Sequence, residues 1–127
     1  MNNIVDYLLI GNTRLHWAVN KNSSYKFSNT LVNDSLPKNI DLKKLIWASV
    51  GKYPTNNLLK KNQVTIKDIN LINMPHFIGI DRALACFAAL IMFKSKLSKN
   101  LLIVDLGTTV SITKIDHQGN ILGGQLF

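Results

Sequence analysis

Residues 8–19 read LLIGNTRLHWAV and residues 103–115 read IVDLGTTVSITKI. In each, a β-rich apolar run meets a tight glycine turn carrying hydroxyl side chains, and a second alternating strand follows. With Gly11 laid on Gly107, Thr13 falls on Thr109 and Leu9 on Asp105. Self-similarity at so long a spacing suggests a duplicated fold, whose second copy is expected to have only just started, and so to be incomplete, where the sequence stops.

Working outward, Ile4–Ile10 is expected as a strand, Gly11-Asn12-Thr13 as a turn, and Leu15, Trp17 and Val19 as the buried positions of the returning strand. A weaker strand is expected over Tyr25–Ser28, and Asn29–Asn39 is polar and turn-like. Leu45–Val50 reads as a short buried strand ending near Gly51 and Pro54, Asn56–Asn62 as a short helix, and Val64–Ile72 as a loosely alternating strand. Asp81–Lys96 is the clearest helix, apolar nearly all round and therefore expected to be buried. Strands follow over Asn100–Val104, Val110–Ile115 and Ile121–Phe127, with turns at Leu106–Thr109 and His117–Asn120. Strands, then a helix, then strands again predict an α/β fold with a mixed sheet.

The chain has 127 residues, 46% apolar and 17% charged, enough to bury a core. Its net charge of +8 favours anionic partners, although the lysines are scattered rather than gathered on one face. Cys86 is its single cysteine, which excludes an internal disulfide and fits a reducing, cytoplasmic setting. The opening MNNIVDYLLIGNTR has no basic region ahead of its apolar stretch, so no secretory signal is expected. The longest apolar run, Ala83–Phe93, is too short to span a bilayer, so no membrane association is expected.

A glycine in a tight turn lets a bound group approach the backbone, and exposed N–H groups with threonine hydroxyls can cradle phosphate oxygens. A carboxylate just before such a turn, as at Asp105, is placed to hold a metal ion or its water. Either turn alone also reads as an ordinary hairpin. Gly79-Ile80-Asp81-Arg82 opens the apolar helix. Asp81 there suits a general base acting on a hydroxyl, and Arg82 an anchor for an anion; both also suit a plain helix start.

These blocks, with ASV at 48–50, PHFIGIDRALA at 75–85 and GNILGG at 119–124, occur in the order and spacing of the type III pantothenate kinases, which the whole chain resembles. That resemblance implies an actin/hexokinase-like (ribonuclease H-like) lobe over 1–99, with the start of a second over 100–127. It implies ATP-dependent phosphorylation of pantothenate to 4'-phosphopantothenate, the first step of coenzyme A biosynthesis. Leu9, Ile10, Gly11, Asn12, Thr13, Arg14, Leu15 and His16 would form the first ATP-phosphate loop. Gly79, Ile80, Asp81 and Arg82 would bind pantothenate, with Asp81 as proton acceptor. Thr108 would contact ATP phosphate, and Asp105 would hold the monovalent cation, potassium or ammonium, used beside Mg-ATP. The family also implies a homodimer once the second half is present.

The chain departs from the family pattern at three places. Leu9 stands where the family has an aspartate, and Ser111 and Thr113 stand where it has threonine and aspartate. The chain ends at GGQLF, where the family continues into a second lobe, so Ile121–Phe127 is expected to leave a strand edge and apolar groups uncovered. These departures point to the alternative of a non-catalytic, truncated relative that binds phosphate or a partner chain. A ribonuclease H-like nuclease is a third reading of the layout and the charge, but seven acidic residues with Leu9 in the first strand argue against nucleic acid as the partner. His16, His76 and His117 lack metal-ligand spacing and read as surface or turn residues, while Trp17, Trp47, Cys86, Phe87, Leu90 and Phe93 read as core.

Overall fold

The computed structural model describes residues 5–52, 57–93 and 99–127. They form a mixed α/β protein of two compact units, Met1–Val64 and Thr65–Phe127, each with its own sheet. The expectations at Ile4, Pro54 and Asn56, and for the last turn of the helix at 94–96, lie outside the described residues.

The first unit is a four-stranded sheet in the order β3-β2-β1-β4. β1 (Tyr7–Ile10) and β2 (Arg14–Lys21) form the hairpin expected from the opening motif, with Leu9 opposite His16 and Ile10 opposite Leu15. β3 (Ser24–Leu31) pairs with β2 along its whole length, which makes it twice as long as Tyr25–Ser28 alone. The cause is a two-residue turn: Asn22 and Ser23 both take positive φ, at 52° and 67°, the backbone twist that closes a tight hairpin in register. β4 (Ile46–Ser49) lies parallel to β1, reached by the crossover segment 32–45. Leu8, Ile10, Leu15, Trp17, Leu45, Trp47 and Leu58 make the core, with Leu36, Ile40 and Leu42 of the crossover packed on it. Period-2 alternation in β1 and β2 puts these side chains on one sheet face. Both tryptophans are core, as expected, and each buried indole N–H is bonded: Trp17 donates to the Thr30 hydroxyl and Trp47 to the Leu59 carbonyl.

In the second unit, 64–72 is not the expected strand. Asp68 accepts hydrogen bonds from the Thr65 N–H and hydroxyl, both at 2.8 Å, and closes Ile66–Asp68 into a 3₁₀ turn. Local side-chain to backbone bonding outweighs a weak alternation here. Bridge bonds occur only at its two ends, where Val64 N–H donates to Trp47 O and Ile72 donates to Gly119 O and accepts from Ile121 N–H. α1 (Ile80–Phe93) packs against β5 (Leu101–Leu106) and β6 (Val110–Ile115), and β7 (Ile121–Leu126) completes the sheet order β5-β6-β7. By contacts, the GIDR segment belongs to the same compact unit as the 100–127 strands.

The helix buries one face only. Ile80, Ala83 and Cys86 are buried, whereas Ile91, Met92 and Phe93 are exposed, so Phe93 is not core. The opposite face of the sheet carries Leu102, Val104 and Leu106, each more than half exposed.

Cys86 is fully buried, and burial pushes its thiol above the ordinary value, partly offset by the Thr113 hydroxyl and the nearby Arg82 charge. Because the thiolate is the reactive form, iodoacetamide at pH 7.5 is expected to leave the folded chain unlabelled and to alkylate Cys86 readily in denaturant, read by intact mass. A folded value above the unfolded one also gives a stability contribution that is fully present below the ordinary thiol pKa. It is lost as pH rises beyond that value towards the folded one.

Candidate functional site

The first unit carries a cavity of about 380 Å³ at the C-terminal ends of its parallel strands β1 and β4. Its walls are Ile10, Gly11 and Asn12 from the first turn, Val32 and Asn33 beyond β3, and Ser49, Gly51 and Lys52 after β4. The turn is held shut by Gly11 N–H donating to Arg14 O at 2.8 Å. A Cβ at Gly11 would meet that same carbonyl at 3.0 Å, so the turn favours glycine sterically. The Ser49 hydroxyl donates to Gly51 O, and Val50 N–H donates to Ile10 O, which ties the two loops together.

Among the described residues, Lys52 is the only ionisable one lining this cavity. Of the expected phosphate-loop residues, Ile10, Gly11 and Asn12 reach it. Leu15 is wholly buried in the core. Leu9 projects from the other sheet face, by alternation with buried Leu8 and Ile10. His16 is exposed and hydrogen-bonds Asn29 through Nδ1 at 2.8 Å. Asp6, the nearest acid in sequence to Leu9, accepts from the Asn20 N–H at 2.9 Å and so serves the fold.

The second unit gathers the other candidates around the opening of α1. Asp81 Oδ1 accepts from the Arg82 N–H at 2.8 Å. A Cβ at Gly79 would lie 2.5 Å from that carboxylate oxygen, so the glycine makes the space Asp81 occupies. Arg82 donates from Nε to the Thr113 hydroxyl at 2.5 Å and from Nη2 to Ile112 O at 2.9 Å. Thr113 and Ser111 are both buried, on the face of β6 that meets α1. Asp105 lies directly across from Ser111. Cross-strand partners share a face, so Asp105, Ser111 and Thr113 line up beneath the start of α1. Thr108 is exposed in the turn between β5 and β6.

Asp105, with the Ser111 hydroxyl opposite, offers hard oxygen donors of the kind a weakly held monovalent cation takes. The described residues contain no group of three or more His, Cys, Asp or Glu able to cage a metal ion. None of their helices is long and apolar enough to cross a membrane.

The family model described as type III pantothenate kinase matches residues 48–127. A type III pantothenate kinase of Thermosynechococcus vestitus is 33% identical over 122 residues, 92% of this chain and 46% of that protein. The chain belongs to the type III pantothenate kinase family. A Synechocystis type III pantothenate kinase is 32% identical over 127 residues, covering 94% of this chain and 47% of its own length. A Flavobacterium johnsoniae relative of the same name is 30% identical across 92% of the chain. The chain spans about half the length of the curated relatives it matches.

Within this family frame, Lys52, Asn33 and Ser49 at the first cavity, and Gly124 beside Arg82, went unassigned in the sequence, and Thr113 was read only as a departure from the family's aspartate. Parallel pairing of β1 with β4, which brings residues 49–52 to the first turn, leaves no local mark in the sequence. The block GNILGG does flag Gly124, without saying what it makes room for.

Proposed function

We propose that the chain carries phosphate and pantothenate sites of a kinase that moves the γ-phosphoryl group of ATP to the primary hydroxyl of pantothenate, giving 4'-phosphopantothenate. What carries this reading is the second unit, where Asp81 and Arg82 open α1 over the strand face bearing Asp105, in a chain of this family. The architecture is read as an actin/hexokinase-like lobe over 1–99 with the start of its repeat over 100–127, supported by the matched strand–glycine turn–strand units at each end.

In the proposed reaction the Asp81 carboxylate takes the hydroxyl proton as that oxygen bonds the γ-phosphorus and the bridge to the β-phosphate breaks. Arg82 anchors the pantothenate carboxylate. The Gly11-Asn12 turn and Lys52 receive phosphate oxygens, and Thr108 adds a hydroxyl beside the Gly107 turn. A potassium or ammonium ion near Asp105 would supply positive charge against the phosphates. Mg²⁺ arrives with ATP as part of the substrate. A homodimer and a cytoplasmic setting belong to the same reading.

Lys52→Ala is expected to weaken binding of ADP about three- to tenfold by titration calorimetry, with a shallower salt dependence. Unchanged affinity would remove Lys52 from the phosphate site.

The second reading is a non-catalytic relative, favoured by Leu9 and by the absence of a carboxylate among the described residues lining the first cavity. Purified chain with Mg-ATP, potassium and pantothenate decides between the two. Phosphopantothenate formed at catalytic turnover supports the kinase. Nucleotide binding without turnover, in a folded sample, supports the relative.

A further inference from the structure

Arg82 is half-buried, yet both of its side-chain partners among the described residues are neutral, the Thr113 hydroxyl and the Ile112 carbonyl. Lys44–Asp41 is the one ion pair found among those residues, so none of their carboxylates pairs directly with the guanidinium. A guanidinium has five N–H donors in a fixed fork. The bonds to Thr113 and Ile112 engage Nε and one N–H of Nη2. The fork is thereby fixed in orientation while its charge and its remaining donors stay available to an anion.

The room for this comes from Gly124. It sits directly opposite Thr113 in the β6–β7 ladder. A Cβ at Gly124 would overlap Arg82 Nη2 and would lie 2.5 Å from Ile112 O, the acceptor that Nη2 uses. Any side chain at 124 therefore competes for the space of the guanidinium. Thr113 is 1% exposed, so its side chain is closely packed where it receives Arg82 Nε.

We propose that Thr113 and Gly124 are positioning residues that hold Arg82 as a charged, neutrally seated receptor for the substrate's carboxylate. The proposal rests on the pantothenate reading above and adds the residues through which Arg82 acts. A carboxylate in place of Thr113 would compensate the guanidinium from behind. A hydroxyl orients it and leaves its full charge for the ligand.

The test is binding to the full chain, without turnover. Pantothenate and its alcohol analogue, which lacks the carboxylate, are titrated by calorimetry, and the Arg82 Nε–H resonance is followed by NMR. Wild type is expected to prefer pantothenate and to shift the Arg82 resonance with pantothenate only. Thr113→Val and Gly124→Ala are each expected to lose about tenfold in pantothenate affinity and nothing for the alcohol. Thr113→Ser is expected to restore wild-type affinity.

Equal losses for acid and alcohol in Thr113→Val would make Thr113 merely structural and overturn the proposal. Unchanged pantothenate affinity in both variants would also overturn it. Pantothenate binding that shifts other amides but not Arg82 would overturn the proposal and leave the functional reading standing. Absence of pantothenate binding to folded wild type would overturn both.

Discussion

Asp81→Asn is expected to lower phosphoryl transfer to pantothenate by about 10²–10⁴-fold, the usual worth of a positioned general base. The substitution is close to isosteric. An amide oxygen can still accept the Arg82 N–H that Asp81 Oδ1 accepts at 2.8 Å, so the start of α1 keeps its bond. Loss of a negative charge at a helix N-terminus costs about 0.3–1 kcal/mol, too little to unfold the unit. What disappears is a group able to take the hydroxyl proton. The measurement is ADP release dependent on pantothenate, alongside a thermal melt. A kcat within threefold of wild type, roughly the scatter of such comparisons, would remove Asp81 from proton transfer. Gly79→Ala reaches the same carboxylate sterically, since its Cβ would lie 2.5 Å from Asp81 Oδ1. Activity should fall there too, with the acid still present.

The largest loss of stability is expected from Trp47→Ala, at about 3–5 kcal/mol, the usual cost of truncating a buried tryptophan. Trp47 is 4% exposed at the centre of the first unit's core, with Leu8, Ile10, Leu15, Trp17, Leu45 and Leu58. It is also a structural joint. Its backbone faces Leu8 across the parallel β1–β4 pairing, and its carbonyl accepts from Val64 N–H at 2.7 Å. Its indole N–H donates to Leu59 O at 3.1 Å. Against a typical total of about 5–15 kcal/mol, such a loss leaves a marginal fold. Urea unfolding followed by circular dichroism reads it directly. Trp47→Phe keeps most of the apolar area and gives up the indole bond, so it should cost only about 1–2 kcal/mol. A cost below about 1 kcal/mol for Trp47→Ala would mean that the site collapses around the gap.

Both predictions lean on parts of the molecule that were differently visible in the sequence. Alternation of Leu15 and Trp17 with Arg14 and His16 is a local signal, and β2 follows it, as does β6 over its expected Val110–Ile115. The helix start at Gly79-Ile80-Asp81 was equally plain, because acidic first-turn residues and an unbroken apolar run are local too. Val64–Ile72 misled because its alternation was weak and one side chain, Asp68, was enough to curl the backbone. Phe93 misled because composition reports how apolar a helix is and not how many neighbours the sheet provides for it.

Determined by the sequence alone are the two strand–glycine–strand hairpins, the GIDR helix opening, and through them the family. Each depends on residues within about one element's length of one another, where periodicity and turn chemistry act without a partner. Tertiary structure alone decided which residues meet across the chain: Ser49 and Lys52 beside the Gly11 turn, and Arg82 over Thr113 and Gly124. Those meetings follow from a parallel pairing and from a helix docking on a sheet, whose contacts span about 30 residues or more and are set by how whole faces fill space.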